Sequence, residues 1–328
     1  MQRIPSFLRR LLPVLALCVA AIAPGVSQAA YPEQPIKMVI AYAPGGGTDI
    51  IARLVAQYMQ KYLGNNASIV AINRPGAGGG IGFAELAHAQ PDGYTIGFIN
   101  TPNVLTIPIE RKSTFHWQNY DLLGNIVDDP GNFSVHADSP IKSLADLAAY
   151  AKANPGKVTY GTTGIGSDDH LAAMMFERAA GVQLAHVPFK GAAEVHTAVI
   201  SKQIMVASMN IGEALQYQKG GSPLRQLGQM AEKRSTLAPS VPTFKEQGFN
   251  IVMASLRGVA APKGLPPAIR EQLVDALQKA VADPAFQAKA ASYFAPIRYL
   301  APDAYAAELK DGEAGFRQLW QTMPGTDK

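Results

Sequence analysis

Two segments of the chain carry residue types suited to holding a small anion. Val39 to Asp49 reads VIAYAPGGGTD, and Val158 to Asp169 reads VTYGTTGIGSDD. Each is a short apolar run, then a Gly/Thr/Ser loop, then the start of an apolar helical pattern. In open α/β sheets, ligands bind at the carboxyl ends of strands, where such loops lie. The first turn of a helix offers unpaired N–H groups and a partial positive charge, which suit a carboxylate or phosphate. Glycines let the backbone approach closely, and Thr and Ser hydroxyls add donors. One loop from each of two lobes would give two anion sites facing across a cleft, a geometry for a ligand with two carboxylates. The plainer alternative is a pair of tight strand-to-helix turns whose Ser and Thr merely cap helices.

Asp49, Asp168 and Asp169 complicate this reading, because like charge in a first helical turn competes with an anionic ligand. They satisfy the helix ends themselves, hold water, or receive an amino group of the ligand. The cations nearest to loop-like positions are Arg74, Lys190 and Arg257, each read as a solvated surface residue. Signatures of catalysis are weak. The loop at Gly45 to Asp49 lacks the Gly-Lys-Ser/Thr of a phosphate loop, and no G-x-S-x-G elbow occurs. The histidines (88, 116, 136, 170, 186, 196) never form H-E-x-x-H. Asp168-Asp169-His170 comes closest to a catalytic or metal cluster, and reads better as a helix start in which His170 packs or orients the loop. No catalytic residue, metal or cofactor is expected.

The elements that would position these loops alternate between strand and helix. Ile36–Tyr42, Ser68–Asn73 and Tyr94–Asn100 read as strands, with helices over Asp49–Leu63 and Phe83–His88 between them. Thr48 is a candidate N-cap and Gly64 a helix stop. A second cycle follows Asp128-Asp129-Pro130-Gly131: a helix capped by Ser143, a strand at Val158–Gly161, a helix over Leu171–Ala180 closed by Gly181, then Leu184–Val187, Ala192–Ile200, Ile204–Ser208 and Leu224–Gly228. A third section holds a strand at Val252–Ala260 and helices over Ala268–Ala282, Asp283–Tyr293 and Pro302–Met323. The alternation predicts an α/β fold of parallel sheets with helices on both faces. A chain that starts one lobe, builds a second and returns to the first is joined by two crossing strands. These are expected near Asp128–Pro130 and Phe249–Leu256, giving lobe 1 as residues 30–129 plus 252–328 and lobe 2 as residues 130–251.

The N-terminus speaks to compartment. Arg3, Arg9 and Arg10 precede an apolar run from Leu11 to Ala23, and Ser27-Gln28-Ala29 forms a small-residue exit. This reads as an export leader cleaved after Ala29. The run is too short for a membrane span, and large Leu17 before Cys18 argues against a lipidation site. The full chain of 328 residues has 29 basic and 25 acidic residues. Without the leader's three Arg the balance is 26 to 25, so the basic character that would point to nucleic acid disappears. The mature chain also lacks cysteine and must rely on its core.

Eight short motifs resemble, in order, those of the Bug family, the extracytoplasmic receptors of tripartite tricarboxylate transporters. They are Tyr31-Pro-x-x-Pro-Ile36, Ala43-Pro-Gly-Gly-Gly-Thr-Asp49, Asn73-Arg-Pro-Gly-Ala-Gly-Gly79, Pro91-Asp-Gly-Tyr-Thr95, Tyr160-Gly161 with Gly164, Ser167 and His170-Leu171, His186-Val-Pro-Phe-Lys-Gly191, Pro239-Ser-Val-Pro-Thr243 with Glu246 and Gly248, and Gly258 through Ala261-Pro262. The resemblance implies a bilobal periplasmic-binding fold, two doubly wound lobes on a two-strand hinge, which closes on a small carboxylate. By the same resemblance the ligand contacts fall on Ala43, Pro44, Gly45, Gly46, Gly47, Thr48 and Asp49 in lobe 1, and on Thr162, Thr163, Gly164, Gly166 and Ser167 in lobe 2. Thr101 and Asn210, each just after a strand, are added to them. Many relatives carry an aromatic residue where this chain has Leu256, which bears on cleft shape near the hinge. The partners implied are a dicarboxylate, tricarboxylate, amino acid or aromatic carboxylate, and the membrane components of the transporter. The location implied is the periplasm, as a monomer without nucleic acid. A sensor reporting to a membrane kinase would use the same closure, and a periplasmic enzyme acting on a carboxylate is the remaining alternative.

Overall fold

A computed structural model describes residues 31–322. The elements run β1 Ile36–Ile40, α1 Gly47–Leu63, β2 Ile69–Asn73, α2 Gly80–Ala87, β3 Thr95–Asn100, α3 Asn103–Glu110 and β4 Tyr120–His136. They continue with α4 Leu144–Ala153, β5 Thr159–Thr162, α5 Asp168–Ala180, β6 Ala185–Pro188, α6 Ala192–Ile200, β7 Val206–Asn210, α7 Ile211–Lys219 and β8 Leu224–Gln229. The last are β9 Ala254–Pro262, α8 Pro267–Ala282, α9 Pro284–Ser292, β10 Ile297–Leu300 and α10 Pro302–Thr322.

The strands form one curled sheet in the order β2-β1-β3-β9-β4-β7-β5-β6, with β8 and β10 also pairing with β4. The outer strands on each side are parallel: β1 with β2 and β3, and β5 with β6 and β7. Helices cover both faces, so the apolar runs of β1 and β3 are buried almost throughout. Strand β4 is the continuous element. Its first part pairs antiparallel with β9, and from Gly131 onward it pairs with β7 and β8. The two crossing strands meet where Pro130 lies opposite Ala254 and Asp128 opposite Leu256, within the stretches expected for a hinge. Bulges at Leu122/Gly124 and Asn125/Val127 bend β4 on its way across.

Burial follows this division. One core gathers Met38, Ile40, Phe98, Val259, Leu277 and Phe286, and α1 packs its Ile51, Leu54, Val55 and Met59 stripe into it. A second core centres on Phe133, with Phe176 and Phe244 edge-on at 5.6 and 5.2 Å. Helix α10 starts on the first side, with Tyr305 and Leu309 fully buried, and ends with Phe316, Leu319 and Trp320 against the second core. The final helix therefore touches both halves, beyond its expected place in lobe 1 alone.

Three elements escape a reading by periodicity. Helix α3 contains Pro108 and β-branched residues, yet forms because Val104, Leu105 and Ile107 are buried beneath α10. Strand β10 is four residues long and pairs antiparallel with β4. The Asp128-Asp129-Pro130-Gly131 stretch, a turn signal in isolation, lies inside β4 because β9 supplies its backbone partners.

Gly258 of β9 faces the ring of fully buried Tyr305; a Cβ there would lie 2.4 Å from the ring edge. Gly258→Ala is expected to cost roughly 1–3 kcal/mol through overpacking. Gly315→Ala on exposed α10, where nothing lies within 4 Å, serves as control. Thermal unfolding checks this: equal melting temperatures for the two variants would contradict the packing argument.

Candidate functional site

The carboxyl ends of β1, β3, β5 and β7 point into one cleft, where the following helices begin. Its residual volume is about 20 Å³, room for one or two waters. Gly46, Gly47 and Thr48 line it from one side, and Thr163, Asp168 and Asn210 from the other.

At its centre is Arg257, 3% exposed on β9. Its Nη2 donates to Asn210 Oδ1 at 2.8 Å and to Glu213 Oε1 at 3.2 Å, and lies 3.3 Å from Asp129 Oδ2. The sequence reading of Arg257 as a solvated surface cation is thus corrected: a strand buried on both faces tolerates a charge only with partners, and these partners come from β4 and α7. Arg74 and Lys190 are exposed, as expected. Gly47 is required by this arrangement, because any Cβ would lie 2.3 Å from Arg257 Nη1.

The two loops are held in different ways. Asp49 does not reach the cavity. It turns back on its own loop, accepting from Gly45 N–H at 3.0 Å, Arg53 Nε at 3.0 Å and Asn73 Nδ2 at 2.9 Å. Burial opposes its ionisation, but those donors outweigh it and hold the carboxyl below the usual range. Thr48 is not the N-cap; Gly46 is, and Thr48 Oγ1 accepts from Asn100 Nδ2 at 2.8 Å. Pro44 and Gly45 are exposed, and Ala43 N–H donates to Lys190 O across the cleft at 3.2 Å.

In the second loop, Thr163 faces the cavity while its Oγ1 donates to Asp169 Oδ2 at 2.8 Å. Thr162 pairs with His186 Nε2 at 2.7 Å, and Ser167 caps α5 through His170 N–H. Gly164, at φ +128°, comes so near Gly78 that a Cβ would lie 2.8 Å from the Gly78 Cα. Gly166 O accepts from Thr106 Oγ1 at 2.7 Å. These two glycines serve contact between the halves rather than the cavity wall. Asn210 is fully engaged: Nδ2 donates to Asp168 Oδ2 at 2.7 Å and to Asp129 O at 2.9 Å. Thr101 ties β3 to β9 through Leu256 N–H and does not line the cavity. Leu256 packs into the core beside Ile99 and Tyr305.

Sequence reasoning missed Tyr42, Asn100, Asp129, Glu213 and Ser255. Asn100, at the end of a parallel strand, could have been found from that position alone. Glu213 carries a second signal, the Asn210-x-x-Glu213 capping box that opens α7. Burial pushes the Asp129 carboxyl up to about 7, with Arg257 opposing and Glu213 adding to the rise. Burial likewise lifts Asp168 to about 6 against the Asn210 hydrogen bond, and raises Asp169 well above its ordinary value with Asp168 adding to the rise. Among the described residues no group of three or more His, Cys, Asp or Glu is placed to hold a metal ion.

Behind the second loop, His170 stacks on His186 at 4.2 Å and His186 on Tyr160 at 4.9 Å. This carries out the packing and orienting role expected of His170, whose Nδ1 accepts from Gly166 N–H at 3.2 Å.

The model for the tripartite tricarboxylate transporter family receptor matches residues 51–296. A Cupriavidus necator protein described as "UPF0065 protein in gbd 5'region" is 37% identical over 294 residues, covering 89% of this chain and 88% of its own. The structure of periplasmic binding protein BugD superposes with a TM-score of 0.83 at 31% identity, covering 89% of this chain and 98% of its own. R. palustris Rpa4515 with adipate gives 0.80 at 25% identity, over 89% and 98% of the two chains.

Burial depresses the His170 pKa to about 3, with His186 adding to the drop, and the His186 pKa to about 4. Between pH 6.5 and about 4 the unfolded chain binds more protons at these positions, so their contribution to stability is complete above pH 6.5 and lost as pH falls through that window. NMR titration is expected to show both imidazoles neutral down to pH 5. A midpoint near 6.5 for either ring would contradict the buried stack.

Proposed function

Because the chain belongs to the tripartite tricarboxylate transporter receptor family, we propose that it captures a small carboxylate between two lobes and delivers it to that transporter's membrane components. The observation that carries this reading is the convergence of both Gly/Thr loops on one polar cavity around Arg257. Hydrogen bonds from Gly47 N–H to Glu213, Thr106 to Gly166 O and Tyr217 to Gly45 O join the halves, as a closed receptor requires. Ligand contacts from both sides favour closure, and closure is the signal a membrane partner reads.

The proposal includes lobe 1 as residues 30–129 plus 252–328, lobe 2 as 130–251, and a leader removed after Ala29, with the mature receptor acting in the periplasm as a monomer. The leader lies outside the described residues. No helix among them is long and apolar enough to cross a membrane. The cavity contacts proposed are Gly46, Gly47, Thr48, Thr163 and Asn210, with Ala43, Pro44, Gly45, Asp49, Thr101, Thr162, Gly164, Gly166 and Ser167 supporting them. The proposed reading needs neither catalytic residues nor a cofactor.

Calorimetric titration of the mature protein tests this reading, with succinate, adipate, citrate, aspartate, glutamate, nicotinate, phthalate and terephthalate as the panel. One-to-one micromolar binding of at least one acid is expected. Arg257→Gln should weaken it by at least about tenfold while the variant still unfolds cooperatively. Silence across the whole panel in folded protein would sink the reading.

A further inference from the structure

Three consecutive N–H groups lead into α1, and the protein itself occupies two of them. Gly45 N–H donates to Asp49 Oδ2 at 3.0 Å, and Gly47 N–H donates to Glu213 Oε1 at 2.9 Å. Between them Gly46, the N-cap, lines the cavity, and its N–H meets no acceptor among the described residues. It is the donor this loop has left for an anion. Its direction is set from behind. The peptide joining Gly45 to Gly46 is trans and planar, so the Gly45 carbonyl and the Gly46 N–H point to opposite sides. Whatever holds that carbonyl aims that N–H.

Tyr217 holds it. From α7, in the opposite half, its hydroxyl donates to Gly45 O at 3.2 Å. Tyr217 is not part of the cavity wall, so any effect it has on a ligand passes through the loop. Burial, with Glu213 adding to the rise, lifts the hydroxyl pKa, and the group stays a donor across the neutral range. The ring is held in turn. His196 of α6 lies flat against it, with centroids 3.9 Å apart and planes within 8°, and His196 Nε2 is 2.8 Å from Ser222 Oγ. Such a stack limits the rotamers open to the tyrosine. The start of α6 closes on the same loop: a Cβ at Gly45 would lie 3.8 Å from Ala193 Cβ, and one at Gly46 3.7 Å from Ala192 N. Two helices of one half thus grip the loop of the other.

We propose that Tyr217 is a positioning residue of the cleft: by holding Gly45 O from the opposite half it aims Gly46 N–H at the bound carboxylate, and His196 keeps Tyr217 in place to do so. This rests on the carboxylate-receptor reading above. The contact exists only while the two halves meet, so the donor is aimed only in the closed state. Its loss therefore shows in the release of ligand rather than in its capture.

Tyr217→Phe removes the hydroxyl and keeps the stack. The probe is whichever of succinate, adipate, citrate, aspartate, glutamate, nicotinate, phthalate and terephthalate the mature protein binds most tightly. Its Kd is expected to rise about three- to tenfold, the range of one neutral hydrogen bond, with the dissociation rate carrying the change in stopped-flow fluorescence. By NMR the Gly46 amide proton should move downfield on saturation in the unsubstituted protein, and much less in Tyr217→Phe. His196→Ala should reproduce part of the loss, and His196→Phe, which keeps a ring against Tyr217, should restore binding; neither should matter once the hydroxyl is gone. Unchanged affinity and release rate in Tyr217→Phe, shown to be folded by its circular dichroism spectrum and cooperative unfolding, would overturn the proposal and leave the receptor reading intact. Weakened binding with the Gly46 amide still shifting in full would also overturn it, because Tyr217 would then only tie the halves together. Equal binding by His196→Ala and the unsubstituted protein would remove His196 from its role. Absence of binding by every acid in folded unsubstituted protein would overturn both readings.

Discussion

A guanidinium buried in a crossing strand sets the terms for everything around it. Arg257 sits on β9, where the two halves of the sheet meet, and its partners arrive from β4 and from α7. A charge removed from water in this way is tolerated only when its hydrogen bonds are met and opposite charge is close. Asp129, Glu213 and Asn210 meet that need at Nη2, while buried Nε has no partner among the described residues, and each of the three is then fixed in place by further bonds. Asp129 also accepts from Gly212 N–H, Asn210 spans to Asp168, and Glu213 reaches back to the start of α1. The demand of one cation for partners thereby ties strand, helix start and opposing loop into a single network.

That network explains which glycines the loops need. Gly47 leaves room for the guanidinium, and Gly164 lets the second loop approach Gly78 more closely than any side chain would permit. The two loops look alike in sequence but divide the labour. The first presents its helix start to the cavity and uses Asp49 to brace itself from behind. The second presents Thr163 and Asp168 and braces itself on the stacked imidazoles of His170 and His186. Motif spacing identifies both loops as places where a helix start meets a cleft. Which atoms face inward depends on the bracing, which is set by residues elsewhere in the chain.

The legibility of the fold follows the same division between local and distant causes. The βα units were readable because strand, Gly stop and amphipathic helix are all local signals, as with β1 and α1 ending at Gly64. Strand β4 was legible only as a crossing near Asp128–Pro130; its full length from Tyr120 to His136 depends on pairing with the distant β9 and β7. Helix α3 was hidden for a similar reason, its poor propensity being overcome by burial. In the site, Gly46, Gly47, Thr48, Thr163 and Asn210 were reached from motif and resemblance. Arg257 was named but misjudged: a lone cation within an apolar run looks solvated until Asp129 and Glu213, far away in sequence, are seen beside it.

For the receptor proposed above, the polarity of the contact between the halves has a consequence. An apolar seam of the same area would gain roughly 25 cal/mol for each square ångström buried and would tend to hold the lobes shut. A buried ion pair behaves otherwise, because the desolvation of its charges nearly cancels their attraction. The Arg257–Glu213 pair that joins the halves is therefore specific in geometry but close to neutral in free energy. Under the proposed reading, the balance can then be tipped by a small ligand that touches both halves. Under that reading, a cleft built on this chemistry would couple opening and closing to its occupant, whereas one built on hydrophobic contact would be governed by its own walls.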